Sequence, residues 1–179
     1  MKYMLNKLRL AFLITAVSVA ISSCKKIVDV EPKNIVGVEN MYRNVFDADA
    51  AVVGVYGKFM KLAKPYMILN ELRGDLMDIT NNADLNLRQV SEHTATVNNP
   101  YTDPQPFYDV IVNCNDVLDN FKKMYAASKL KEAEFNQRYS DVGAIRSWVY
   151  LQLGIHYGTI PYVTNPILQV QDLKDNSNF

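Results

Sequence analysis

Residues 107–125 read FYDVIVNCNDVLDNFKKMY, and the spacing of their apolar side chains decides the fold class. Phe107, Ile111, Cys114, Leu118, Phe121 and Tyr125 step by four, three, four, three and four, which places them along one side of an α-helix. Asp109, Asn113, Asp116, Asn120 and Lys123 repeat the same steps and are expected on the opposite, wet side. Cys114 falls on the apolar stripe and reads as a packed thiol, not a reactive one.

Toward the C-terminus a second helix is expected from Ser128, a candidate cap, through a polar half (Lys129 to Arg138) into an apolar half, Val142 to Tyr157. Two stripes coexist in that apolar half: Val142, Ile145, Val149 and Leu153 form one, and Ala144, Trp148, Leu151 and Ile155 the other. It should therefore be buried on most sides. Gly143 leaves room for another backbone, and Gly158 followed by Pro161 ends the helix.

Toward the N-terminus, Asp47 is a candidate cap for a helix carrying Ala51, Val55, Phe59 and Leu62 on one face. Lys58, Lys61 and Lys64 gather at its far end, and Pro65 should stop it. A shorter apolar piece, Tyr66 to Leu72, ends at Gly74. From Asp75 to Pro106 the chain is rich in Asn, Asp, Thr and Pro, and it reads as a long surface excursion. No strand pattern of comparable length occurs, so the class is all-α, built of antiparallel helix pairs with a long irregular loop.

Ahead of this region lies a leader. Lys2, Lys7 and Arg9 precede an apolar run from Leu10 to Ile21, and Ser22-Ser23-Cys24 follows. Basic, apolar and small-residue segments in that order read as an export signal over residues 1–23. The run is far shorter than the ~20 residues a membrane-crossing helix needs. Cys24 after Ile21-Ser22-Ser23 is similar to a bacterial lipobox, in which the thiol is lipidated and becomes the mature N-terminus. A plain secretory signal with an incidental Cys is the alternative. Residues 24–40, with Pro32 and Gly37 and few periodic apolar positions, read as a tether, and residues 41–179 as the helical region.

Removing the leader leaves sixteen basic against nineteen acidic residues, a net charge of −3, which gives no electrostatic case for nucleic acid. With only two cysteines, and Cys24 acylated, Cys114 has no partner, so a disulfide framework is excluded. His93 and His156 lie far apart in sequence with no companions at zinc-ligand spacing, and no metal or cofactor is expected. Asp78, Asn81, Asn82, Asp84 and Asn86 offer oxygens in the manner of a Ca²⁺ site, but in no EF-hand spacing; they read as solvated turns. No nucleophile elbow, phosphate loop or paired carboxylates are visible, so the chain is not expected to be an enzyme. Arg73-Gly74-Asp75 matches an adhesion tripeptide, a match three residues long between apolar Leu72 and Leu76. The more physical expectation is that Asp75 or Glu71 pairs with Arg146, a guanidinium on an otherwise apolar helix. Tyr101, Phe107 and Tyr108 border the polar excursion, where their rings are candidates to stack on a sugar; the competing role is to anchor the loop to the helices.

Taken together, several segments resemble the N-terminal part of the SusD/RagB family, nutrient-binding outer-membrane lipoproteins of Bacteroidetes. They are Cys24 with Ile27-Val28-Asp29-Val30-Glu31-Pro32; residues 47–56, DADAAVVGVY; residues 71–75, ELRGD; residues 108–118, YDVIVNCNDVL; and residues 144–153, AIRSWVYLQL, with Tyr157-Gly158-Thr159-Ile160-Pro161. The resemblance implies tetratricopeptide-like helix pairs anchored by lipid to the outer membrane at the cell surface. It also implies capture of glycans or other oligomers for a SusC-like TonB-dependent transporter, with no catalysis. Three departures stand out. Pro104 occupies the place where the family usually has Trp, one turn before Tyr108. Lys25-Lys26 stands where surface-displayed members often carry acidic residues. Family members are also much longer, so the chain is expected to be an incomplete domain whose last helix leaves apolar surface uncovered. The competing functional class is a structural or adaptor lipoprotein whose helix pairs hold a protein partner.

Overall fold

The computed structural model describes Tyr3, residues 41–167 and residues 169, 171 and 172. The expected signal (1–23), Cys24 and the expected tether (24–40) thus lie outside the described residues apart from Tyr3. Every regular element among the described residues is helical, with no strand. In chain order they are α1 (Val45–Phe59), a 3₁₀ turn (Met60–Leu62), α2 (Ala63–Tyr66), a π-helical segment (Met67–Leu72), α3 (Leu85–Ser91), a second 3₁₀ turn (Pro100–Thr102), α4 (Gln105–Ala126) and α5 (Glu132–Tyr157).

The α4–α5 pair is the centre of the molecule. Phe107, Ile111, Cys114, Leu118 and Phe121 are all buried, as their spacing requires, and face Val142, Ile145, Val149 and Leu153 of α5, also buried. The two helices run antiparallel. Tyr125 stacks on Phe135 with ring centroids 4.7 Å apart beside the connecting loop, and Phe107 meets Tyr157 edge-on at 6.4 Å at the far end. Helix α1 lies across both. Asp49 near its start meets Arg138 at 2.6 Å, and Phe59 at its end meets Trp148 at 5.0 Å, so α1 runs in the same direction as α5. Tyr42, just before α1, meets Phe121 late in α4, which makes α1 antiparallel to α4.

Local chemistry moves several boundaries. Asn44, not Asp47, caps α1, its Oδ1 accepting from the N–H groups of Phe46 and Asp47. Asp47 instead takes the backbone N–H and the guanidinium of Arg43, which hold its carboxyl below the usual range. Pro65 does not stop the chain's helical course. It sits at the third position of α2, within the first turn, where a missing N–H forfeits no helical bond. Beyond it the turn widens, Arg73 N–H reaching back five residues to Ile68 O at 3.1 Å. Gly74 then has no room for a side chain, because a Cβ there would collide with the Asn70 carbonyl oxygen.

Ser128 ends α4 and does not begin α5. It lies at φ +56°, donates its N–H to Tyr125 O, and is followed by Lys129 N–H to Met124 O, the paired bonds of a Schellman close. Helix α5 starts at Glu132, with the Lys131 N–H taken by Glu134 Oε2 at 2.8 Å. Gly158 ends it at φ +74°, as expected.

The apolar half of α5 is covered on one side only. Trp148 is wedged between Phe59 and Tyr66, but Leu151 and Ile155 are 59% and 56% exposed, and nothing lies within 4 Å of where a Cβ of Gly143 would stand. The excursion from Asp75 to Pro106 is more structured than its composition suggests. Asp84 caps the seven-residue α3 through Leu87 N–H, and α3 buries Val90.

Candidate functional site

The three candidate rings do not form a common platform. Phe107 is completely buried in the α4–α5 core, where no external ligand can stack on it. Its place on the helical stripe already demands this, so the expectation of a ligand-stacking role is corrected. Tyr108 donates its hydroxyl to Pro161 O at 3.0 Å and so ties the segment after α5 back to α4. Tyr101 donates to Asp84 Oδ2 at 2.7 Å, and Lys64 lies 5.2 Å from its ring centroid. That phenol, before all other causes, holds the Asp84 carboxyl below the usual range. Tyr101 and Tyr108 therefore anchor loops to helices. Tyr101 also borders a cavity of about 360 Å³ with Lys64, Ile68 and Pro106.

The expected ion pair of Asp75 or Glu71 with Arg146 is not formed. Arg146 Nη1 donates to Asn115 Oδ1 at 2.8 Å and to Thr164 O at 3.4 Å, while Asp75 Oδ1 lies 3.6 Å from His93 Nε2. Neutral oxygens suffice for Arg146 because its side chain is only partly buried and the rest of the charge stays hydrated. Asn115 is the hub: 1% exposed, it also donates to Val163 O at 2.8 Å and Asn165 O at 3.3 Å. Tyr150 completes the arrangement, its hydroxyl donating to Val163 O at 2.6 Å and accepting Val163 N–H at 2.8 Å. Five side-chain bonds thus fold the chain after Pro161 back against the helix pair.

The Asx-rich loop is organised by Arg88, whose guanidinium donates to the carbonyl oxygens of Asn81 and Ala83. Asp84 is engaged by Leu87 N–H and Tyr101, so two backbone oxygens and one carboxylate of the loop are already taken by internal donors. No group of three or more His, Cys, Asp or Glu suited to a metal occurs among the described residues. Cys114 is fully buried, and burial pushes its thiol up to about 11.

The most chemically varied cavity is one that the sequence did not indicate. It encloses about 540 Å³ between the end of the π segment, the turn after α3, the start of α4 and the end of α5, and both histidines of the chain line it. Arg73 Nη2 donates to His156 Nδ1 at 3.3 Å, and Asn70 Nδ2 lies 3.1 Å from His156 Nε2 and 3.3 Å from Gln152 Oε1. Burial first, and the Arg73 charge second, hold His156 below the usual imidazole range, so it stands neutral at pH 7. Beside it the Tyr157 hydroxyl is buried without a hydrogen-bond partner, and burial pushes its phenol up to about 12. His93 and Asp75, the pair at 3.6 Å on the rim, both hold left-handed backbone, at φ +57° and +60°. Both close a helical segment there, with N–H bonds to Val90 O and Leu72 O.

No protein-family model, curated protein or solved structure matches this chain. Among the described residues, no helix is long and apolar enough to cross a membrane.

Proposed function

We propose that this chain is a nutrient-binding outer-membrane lipoprotein of the SusD/RagB type, acylated at Cys24, which captures glycans or other oligomers for a SusC-like TonB-dependent transporter and performs no chemistry on them. The observation that carries the reading is the order of the resembling segments from Cys24 to Pro161, two of which meet at one polar hub beside the end of a third. Asn115 of the 108–118 segment receives Arg146 of the 144–153 segment, and Tyr150 of that segment holds Val163, just past the Tyr157–Pro161 segment. Such interlocking gives a physical reason for Asn, Arg and Tyr to stand at those places on helices that otherwise bury apolar stripes. Antiparallel α4 and α5 agree with helix pairs of tetratricopeptide-like type, and the uncovered Leu151 and Ile155 agree with a helix array that continues.

The test is to express the full chain in a Bacteroidetes host with radiolabelled palmitate and to purify it from detergent-solubilised outer membrane. Label retained by the chain, lost on Cys24→Ala, together with co-purification of a large β-barrel transporter, is the expected result. Unlabelled protein in the soluble fraction overturns the lipoprotein reading. A labelled chain that brings down a partner other than a transporter favours the adaptor class.

A further inference from the structure

We propose that the cavity walled by Arg73, His93, Thr96, Thr102, His156 and Tyr157 binds an acidic sugar unit, with the ligand carboxylate on Arg73. The inference rests on the uptake reading for its ligand class, and on the cavity alone for the carboxylate.

Arg73 offers five N–H donors in a planar fork, and among the described residues the hydrogen bond its side chain makes is with His156 Nδ1, a neutral acceptor. No carboxylate pairs with it among the described residues. Glu71 and Asp75, each two residues away in sequence, form no ion pair with it; Asp75 is turned to His93 and is largely exposed. An arginine at a cavity wall with an open fork matches a carboxylate in two parallel bonds, which a hydroxyl cannot supply.

The rest of the wall suits a sugar ring more than a bare anion. About 540 Å³ is within the range of small-ligand sites and far larger than one carboxylate needs. Thr96 and Thr102 carry hydroxyls; Thr102 donates to Asn99 O and keeps its acceptor capacity. Val97 supplies apolar surface for the C–H face of a ring. Tyr157 lines the same wall, while its hydroxyl is shut off from solvent without a hydrogen-bond partner.

The experiment is a ¹H–¹⁵N titration of the isotope-labelled full chain in detergent with glucuronate, glucose and acetate. Glucuronate and glucose share a ring and differ in carrying a carboxylate or a hydroxymethyl group. The expected result is that glucuronate shifts the Thr96, Thr102 and His156 resonances and binds at least tenfold more tightly than either glucose or acetate. Arg73→Gln should reduce glucuronate binding tenfold or more and leave the weak glucose binding unchanged.

Glucose binding as tight as glucuronate overturns the carboxylate assignment; acetate binding as tight overturns the sugar assignment. Shifts confined to other parts of the chain overturn the site. The comparison of the three ligands needs no variant, so it decides the matter even if Arg73→Gln fails to fold. A chain that passes this titration but brings down no transporter refutes the uptake reading and leaves the acidic-sugar site standing.

Discussion

Replacing Asn115 by Ala should cost this fold about as much as truncating a buried leucine, because one side chain holds three separated pieces of chain together. The amide is 1% exposed; it accepts from Arg146 Nη1 at 2.8 Å and donates to Val163 O at 2.8 Å and Asn165 O at 3.3 Å. A hydrogen bond to a charged partner contributes about 1.5–3 kcal/mol, and each neutral one about 1. The substitution also leaves the Arg146 fork with only the longer bond to Thr164 O, whereas Val163 O keeps the Tyr150 hydroxyl. The net loss is about 3–4 kcal/mol, a large share of the 5–15 kcal/mol typical of a whole domain. Urea unfolding of the full chain, followed by far-UV circular dichroism, reads it directly. With a slope of about 2 kcal/mol per molar, the midpoint should fall by roughly 1.5–2 M. Arg146→Met should cost less, about 1–2 kcal/mol, since its side chain is partly hydrated, and the double variant should cost less than the two losses taken separately. A midpoint shift under 0.5 M for Asn115→Ala, or strict additivity with Arg146→Met, refutes the hub.

Gly74→Ala should destabilise the chain by about 1–3 kcal/mol, as the added methyl must push the Asn70 carbonyl aside; differential scanning fluorimetry against the wild type measures it. His156 has a folded pKa below its ordinary 6.5, so its neutral form stabilises the fold fully above that value, and the contribution is lost as pH falls through it. Unfolding free energy should therefore drop as pH falls below 6.5 in the wild type and less in His156→Gln, with equal slopes counting against the assignment. Cys114, buried with its thiol near 11, should react with a disulfide reagent at pH 8 only after denaturant is added; prompt reaction in buffer would contradict its packing.

What could be read in the chain and what could not divide along a physical line. The buried stripes of α4 and α5 follow from residue order because a helix returns a side chain to the same side every 3.6 residues, whatever lies opposite. The Gly158 stop is legible for the same reason: a positive φ is a local demand that glycine meets at least strain. Local signals mislead where two positions can both serve. Asn44 takes the cap that Asp47 also suits, since Arg43 engages the Asp47 carboxylate, and Pro65 is harmless because it falls in a first turn. Helix α3, at seven residues, is too short for periodicity to rise above the polar composition around it.

Partnerships of polar groups are the part only the folded chain decides. Asn120 was expected on the wet face of α4, yet it is buried, its Nδ2 bonded to Asp116, and Asn115 lies deeper still. Arg146 finds Asn115 and Thr164 in place of Asp75, and His93 and His156 share one cavity wall across a long interval of sequence. Hydrogen bonds reach about 3 Å, and which donors and acceptors come that close depends on how α1, α4 and α5 pack and where the chain turns back after Pro161. The sequence by itself determined that helices form and which faces they bury, because burial follows a repeat written along the chain. The tertiary structure alone decided the polar hub and the cavity of Arg73, His156 and Tyr157, because distance across a fold is not written in any repeat.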